Sequence, residues 1–440
     1  MKRLIFEELI SWKDGANRKP LLLRGARQVG KTYMVRELGN HFESFIEVNF
    51  ELLPEACKIF ERDLLPDRII RDLSLFMGKK IEPGQTLLFF DEVQAAPKAI
   101  QALRYFYEMM PQLHIISAGS LIDFELEKIG LPVGRVTSIY IYPLSFIEFL
   151  SAKREYLLIE TILEHDATSR LNEAVHKKLL HLLGEYFAVG GMPEAVQCWI
   201  DTQDLNRCAA IHQTIIDSYR QDFNKYATRF QIRYVELFFN TIPALLGQKF
   251  KYNHIPGEYR KRELLPSLEL LVRAGVAHKV VHSGGSGIPL GAEVDPEKFK
   301  VIFLDVALAQ AILGLNTASW LLEPELNLIN KGAITEAYVG QELLAYAPFN
   351  IKNQLYYWHR EARASSSEID YLIQQENRIV PLEVKSGTAG KLRSLRLFLE
   401  THRNSEYGIR FSGWNYAVDN NTICIVGFIG YNITNMNFIR

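Results

Sequence analysis

The first 150 or so residues predict an α/β domain built on a parallel sheet. Three observations predict it: short continuous apolar runs, helix-patterned segments between them, and a glycine-lysine-threonine pattern directly after the first run. Continuous apolar strands belong to sheets covered on both faces, and strand-helix alternation makes such sheets parallel. In chain order, PLLLRG (20–25) reads as the first buried strand and FIEVNFE (45–51) as the second. QTLLFFDE (85–92), LHIISAGS (113–120) and VTSIYIYPLS (136–145) follow as the third, fourth and fifth. KTYMVRELGNHF (31–42) and KAIQALRYFYEMM (98–110) carry helical spacing between them.

Two further regions follow. Residues from about 150 to 250 are mostly helical by pattern, interrupted by the turn VGGMPEA (189–195). Residues 253–281 read as turn, helix, turn and strand, and HSGGSGIPLG (282–291) as a hairpin or wing. A helix over 332–347 then opens a last region of short strands, QLYYWH, SEIDYLIQQ and RIVPLEVKSG. The basic helix KLRSLRLFLETHR and the strand TICIVGF complete it. The expected divisions are 1–150, 151–325 and 326–440.

Composition narrows the class. The chain has 440 residues, 48% hydrophobic and 23% charged, so each region can bury a core. A formal net charge of -1 gives no global basic field, so any nucleic-acid binding must come from a local patch. Cys57, Cys198, Cys208 and Cys424 show no zinc spacing and read as free thiols of a reducing cytoplasm. Glu7 and Glu8 interrupt the apolar start, which argues against export, and the run 139–150 is too short to span a bilayer.

GARQVGKT (25–32) carries the first chemistry. Gly25, Gly30, Lys31 and Thr32 meet the spacing GxxxxGK[ST] in full, with Ala26, Arg27, Gln28 and Val29 between the glycines. Glycines let such a loop wrap closely, so that backbone N–H groups point at phosphate oxygens. The loop ends on a helix N-terminus, whose partial positive charge favours anions. Lys31 would reach the β- and γ-phosphates and Thr32 would ligate Mg²⁺. Asp91 and Glu92 close the third strand, at the carboxyl edge of the same sheet. Asp91 would hold Mg²⁺, and Glu92 would orient and deprotonate the attacking water. Ser117 and Ser120 follow the fourth strand, where a polar residue can sense the γ-phosphate; Ser120 reads equally well as a helix cap. Arg135 can neutralise transition-state charge in its own subunit or across an interface, and reads nearly as well as a plain surface arginine.

KPLLLRGARQVGKTYMVREL, LLFFDEVQ, IISAGS and GRVTSIYIYPLSFIEFL together resemble the AAA-superfamily ATPases of bacteria and archaea. The likeness is to the group with a C-terminal domain of unknown function, and it runs on through GGMPEA to PLEVKSG. It implies a P-loop AAA-type sheet ordered 5-1-4-3-2, with ATP as ligand and Mg²⁺ as cofactor.

The segment EIDYLIQQENRIVPLEVKSG raises a second site. Alternate strand residues share a face, which puts Glu383 beside Lys385, with Val384 toward the core. Asp370 stands on the preceding strand, and Glu336 can lean over from the helix before it. Three carboxylates and a lysine suit Mg²⁺-dependent phosphodiester cleavage. The arrangement resembles the PD-(D/E)XK nuclease superfamily, which would make the end of the chain a nuclease-like α/β domain. The triplet E-x-K alone arises by chance about once in a chain of this length. A solvated ion pair, or a fold kept with its chemistry lost, stand beside the active reading. Glu342 lies on the same helix as Glu336 and competes for its place.

In the middle region Arg260, Lys261 and Arg262 precede an apolar helix, and with the glycine-rich loop this suits a winged-helix module on DNA. Pro266 and the interleaved Glu258, Glu263 and Glu269 weaken that reading. Two functions follow. One is an ATP-driven enzyme acting on DNA; the other is a regulatory ATP switch whose silent C-terminal module binds a protein or DNA. A homo-oligomer fits either, and no membrane is expected.

Overall fold

The computed structural model describes residues 1–426 except 121, 124, 125, 127–129, 131–133, 166–168, 227, 228, 363, 364, 385–391, 420 and 421. Helix α1 (Phe6–Asp14) leads into β1 (Leu21–Arg24), α2 (Lys31–Gly39), β2 (Ser44–Asn49) and α3 (Pro66–Met77). Then come β3 (Thr86–Asp91), α4 (Pro97–Met109), β4 (His114–Ala118) and β5 (Thr137–Tyr140). The five strands are parallel in the order β2-β3-β4-β1-β5, the expected order read from the other edge. Period-two alternation feeds two cores. Leu21, Leu23, Leu87 and Phe89 join Met34, Val35 and Leu38 of α2 on one face. Leu22, Leu88 and Phe90 meet Ile69 and Leu73 of α3 and Ile100, Leu103 and Phe106 of α4 on the other.

The helical region runs through α5 (Phe146–Ala152), α6 (Tyr156–Glu164), α7 (Glu173–Val189), α8 (Pro193–Thr202), α9 (Leu205–Tyr226), α10 (Arg229–Thr241) and α11 (Lys261–Arg273). The turn 189–195 has a stereochemical reason for its glycines. Gly190 has φ 78°, and a Cβ there would stand 2.4 Å from Asp305 Oδ1. A Cβ on Gly191 would stand 2.3 Å from the Leu144 carbonyl. Asp305 accepts the Gly191 N–H at 2.7 Å and also caps the next helix through Ala307 N and Leu308 N.

Strands β6 (Ala277–Ser283) and β7 (Val294–Phe303) form the expected hairpin. Helices α12 (Val306–Ile312), α13 (Ser319–Leu322), α14 (Pro324–Asn330) and α15 (Gly332–Ala345) follow. Strands β8 (Leu355–Ala362), β9 (Ser365–Gln375) and β10 (Arg378–Val384) precede α16 (Arg393–Thr401). The described chain ends with β11 (Gly408–Ser412), β12 (Ala417–Asp419) and β13 (Thr422–Val426). These strands make one mixed sheet, β12-β13-β11-β10-β9-β8-β6-β7. The hairpin is therefore no free wing: β6 is an inner strand, parallel to β8 with Val280 opposite Leu355. That sheet runs across the boundary expected at 325/326.

A buried polar junction ties α15 to the first region. Glu342 accepts the Phe146 N–H at 3.0 and 3.1 Å. Two residues on, Glu148 accepts from Arg3 Nε and Leu4 N, both at 2.8 Å. Burial pushes the Glu342 carboxyl up to about 8, against hydrogen bonds from Tyr346, Phe146 N and Tyr186, with the Glu148 charge adding to the rise. The folded protein thus holds a proton there that the unfolded chain, near 4.5, releases. Stability from this group is full below the unfolded value and is lost as pH climbs to about 8. The expected slope is roughly 1.4 kcal/mol per pH unit across that window. Glu342→Gln, neutral throughout, should flatten it, as urea midpoints between mildly acidic and mildly alkaline pH will measure. Among the described residues, no helix is long and apolar enough to cross a membrane.

Candidate functional site

The carboxyl ends of β1, β3 and β4 lie side by side because the register aligns Leu22 with Ser117, Phe90 with Ser117, and Asn49 with Asp91. The glycine loop leaves β1 at this edge. Gly25 has φ 145°, and a Cβ there would stand 2.1 Å from the Ile141 carbonyl oxygen, so no other residue fits. Gln28 (φ 63°) and Gly30 (φ 92°) are both left-handed, the backbone alternation that makes an anion-binding nest of amides. Gly30 caps α2 with no side chain over the helix start.

Lys31 opens α2 and is buried. Its ammonium donates to the carbonyls of Gly25 (2.9 Å) and Ala26 (2.7 Å), which aims it along the loop. Burial pushes it down to about 8, against the Glu92 and Asp91 charges. Thr32 Oγ1 lies 3.3 Å from each Asp91 oxygen, and Asn49 Nδ2 donates to Asp91 at 3.2 Å. Burial, with the Glu92 charge adding, lifts the Asp91 carboxyl to about 6. A hydroxyl and a carboxylate beside a phosphate cradle are the hard oxygen donors that Mg²⁺ takes, so these residues fit that ion.

Glu92 sits at φ 49°, the left-handed turn that ends β3. Gln94 Nε2 donates to Glu92 Oε2 at 2.6 Å. Gly119 makes room for this, since a Cβ there would stand 2.1 Å from Gln94 Oε1. Ser117 is fully buried within β4, whereas Ser120 is half-buried beyond it. Ser120 lines a small cavity with Arg27, Tyr219 and Asp222.

The loop is also held from outside its own region, which sequence reasoning missed. Arg27 Nη1 donates to both oxygens of Asp222 on α9, each at 2.6 Å. Tyr219, one turn earlier on α9, donates its hydroxyl to the Arg27 carbonyl at 2.7 Å. Within the first region, Arg3 also donates to the Val29 carbonyl at 2.8 Å. A Cβ on Gly275, in the turn between α11 and β6, would stand 3.3 Å from Ala26 N. Helix α9 offered only amphipathic spacing in the sequence, so nothing there marked Asp222.

Arg135 is not brought to this edge. It precedes β5, whose Thr137 aligns with Leu21 at the start of β1. Six residues of strand, roughly 20 Å, separate it from the loop. There it pairs with Glu108 of α4 at 2.9 Å.

At the C-terminal cluster the structure brings Glu336 and Asp370 together around a residue that was not expected. Lys300 of β7 lies 2.8 Å from Glu336 Oε1 and 3.5 Å from Asp370 Oδ1, and it also pairs with Glu368. Asp370 Oδ2 accepts the Val384 N–H at 2.8 Å, and Glu383 is buried beside it in β10. Val384 packs against the main core, as its strand parity requires. Burial, with the Asp370 charge adding, lifts Glu336 to about 7, against Lys300. Glu342 is not part of this cluster; it accepts the Phe146 N–H instead. Lys385 lies outside the described residues. Among the described residues, no three His, Cys, Asp or Glu side chains are disposed to hold a metal ion. With the Lys300 ammonium standing between Glu336, Glu368 and Asp370, the described side chains as arranged leave no open place for the implied Mg²⁺. The missed signal was a lone lysine inside the apolar run FKVIF (299–303).

Comparison with known families agrees with the first site. Residues 17–150 match the family model described as an AAA domain. Residues 180–319 and 331–428 match two models described as domains of unknown function, DUF8612 and DUF4143. Fold, loop and family match together support an AAA-type P-loop domain over residues 17–150. No curated protein matches the chain. Among solved structures, the Walker-type ATPase of Pyrococcus abyssi is 16% identical, with 70% of this chain and 95% of that one covered and a TM-score of 0.45. The Aeropyrum pernix ORC1 protein, solved in complex with DNA, is 14% identical over 72% of this chain and 92% of that one, with a TM-score of 0.27. PCH-2 of C. elegans is 14% identical over 46% and 64% respectively, also at 0.27.

Proposed function

We propose that this protein binds and hydrolyses ATP with Mg²⁺ and passes its nucleotide state to the middle and C-terminal regions, which act on DNA. The observation that carries the reading is the grip of α9 on the phosphate loop through Asp222 and Tyr219. Any shift of Arg27 on phosphate binding must move against that helix. Lys31 and the loop amides bind the β- and γ-phosphates. Thr32 and Asp91 hold Mg²⁺, which when bound neutralises phosphate charge. Glu92, held by Gln94, orients the attacking water and takes its proton. Ser120, which lines a cavity with Arg27, senses the phosphate end. Arg135 is half-buried, paired with Glu108 and remote from its own loop, which favours action on a neighbouring subunit's nucleotide in a homo-oligomer.

The DNA part rests on Arg260, Lys261 and Arg262, all exposed at the start of α11. Their field is partly spent, because Lys261 pairs with Glu297. A second reading is favoured by Lys300: the C-terminal module binds DNA or a protein partner without cutting. Labelled single-stranded, duplex and branched DNA, incubated with Mg²⁺ with and without ATP, test both. Phosphate release with nucleotide-dependent DNA retention is the expected result. Cleavage would restore the nuclease reading, and phosphate release without retention of any DNA form would remove DNA from it. No phosphate release at all would remove the whole proposal.

A further inference from the structure

The sequence pattern reserves the point between Glu336 and Asp370 for a divalent ion, but a side chain already stands there. Lys300 enters from β7 among Phe299, Val301, Ile302 and Phe303, and only 1% of its surface is exposed. Its ammonium lies 2.8 Å from Glu336 Oε1, 3.5 Å from Asp370 Oδ1, in contact with Glu368, and 5.4 Å over the Tyr357 ring. These are charge-assisted nitrogen–oxygen contacts of the ordinary kind. The carboxylates come from α15 and β9, and their inward oxygens converge on that nitrogen.

We propose that the Lys300 ammonium is the resident cation of the Glu336–Glu368–Asp370 cluster, and that this cluster takes no divalent metal ion. Mg²⁺ needs near-octahedral oxygens at about 2.1 Å. An ammonium at the centre of the same carboxylates takes both the space and the charge that such a site requires. The remaining contacts lock the acids in this arrangement. The second oxygen of Asp370 is used by the Val384 N–H, the Glu336 backbone carbonyl accepts from Tyr371 at 2.7 Å, and Glu368 lies 3.8 Å from Lys249. Partly buried charges of one sign are stabilised by a shared counter-charge. Lys300 contacts all three carboxylates, and it joins β7 to β9 and α15. The inference deepens the reading of the C-terminal module as one that does not cut. It does not depend on ATP hydrolysis at the first site.

The test is Mn²⁺ titration of the full chain without nucleotide, in an Asp91→Asn background that silences the first site, followed by electron paramagnetic resonance. With Lys300 present, no saturable Mn²⁺ site is expected. Lys300→Met keeps length and removes charge. It should lower Tm by several degrees, gain one Mn²⁺ site, and recover stability when Mn²⁺ is added. A saturable site in the Lys300 protein that Glu336→Gln or Asp370→Asn removes would overturn the proposal. So would a folded Lys300→Met protein that stays free of metal. Should Lys300→Met fail to fold, the Lys300 protein alone decides, since its binding or not binding Mn²⁺ is the claim.

Discussion

Lys31→Ala is expected to weaken ATP binding at least a hundredfold. The ammonium is buried, desolvated and already aimed along the loop by Gly25 O and Ala26 O. A charged hydrogen bond to a phosphate is worth about 1.5–3 kcal/mol, and this one group serves two phosphates. The total, about 3 kcal/mol or more, corresponds to the stated loss. The protein itself should survive the change, because the hydrogen bonds described for Lys31 are to its own loop while Val29 stays pinned by Arg3. Calorimetric titration with ATP and Mg²⁺, alongside a thermal melt, separates the two effects. An unchanged dissociation constant would remove Lys31 from the site and the phosphate reading with it.

The first site was legible because its chemistry is local. Gly25 to Thr32 form one contiguous stretch, and Asp91 and Glu92 end a strand whose apolar run announces itself. Parallel alternation then brings the two stretches to one edge without any further information. What escaped was whatever depends on a distant partner. Asp222 and Arg27 are 195 positions apart, and neither carries a mark of the other. Helices α1 and α3 were also missed, although Ile69, Ile70 and Leu73 repeat at helical spacing. Arg135 shows the converse relation between chain and space. Its distance along the chain from β5 is small, but a strand's length of sheet separates it from the loop.

The C-terminal cluster fails to read for a related reason. The strand order of β9 and β10, and the parity of Val384, follow from period-two alternation. The cation among the acids comes from β7, assigned by sequence to another region altogether. Only the parallel pairing of β6 with β8 carries β7 into the same sheet. Parallel pairing through long connections leaves no local trace, so the hairpin looked like a wing and Lys300 drew no reading at all.

Glu92→Gln should bind ATP nearly as well as the parent protein and hydrolyse it about 10²- to 10⁴-fold more slowly, the usual contribution of a positioned base. The left-handed turn at Glu92 points its backbone out of the β3 ladder, and Gln94 fixes the carboxylate with a 2.6 Å hydrogen bond. A glutamine at 92 retains a carbonyl oxygen to accept that bond, so geometry is kept and only basicity is lost. Gln94→Ala makes the converse change, leaving the base but freeing its orientation, and a smaller loss is expected. Because Gly119 exists to clear Gln94, Gly119→Ala should resemble Gln94→Ala rather than Glu92→Gln. Single-turnover phosphate release at saturating ATP, with affinity measured separately, distinguishes these outcomes. Equal release by the parent and by Glu92→Gln would take the base role away from Glu92 while leaving nucleotide binding at Lys31 and Thr32 in place.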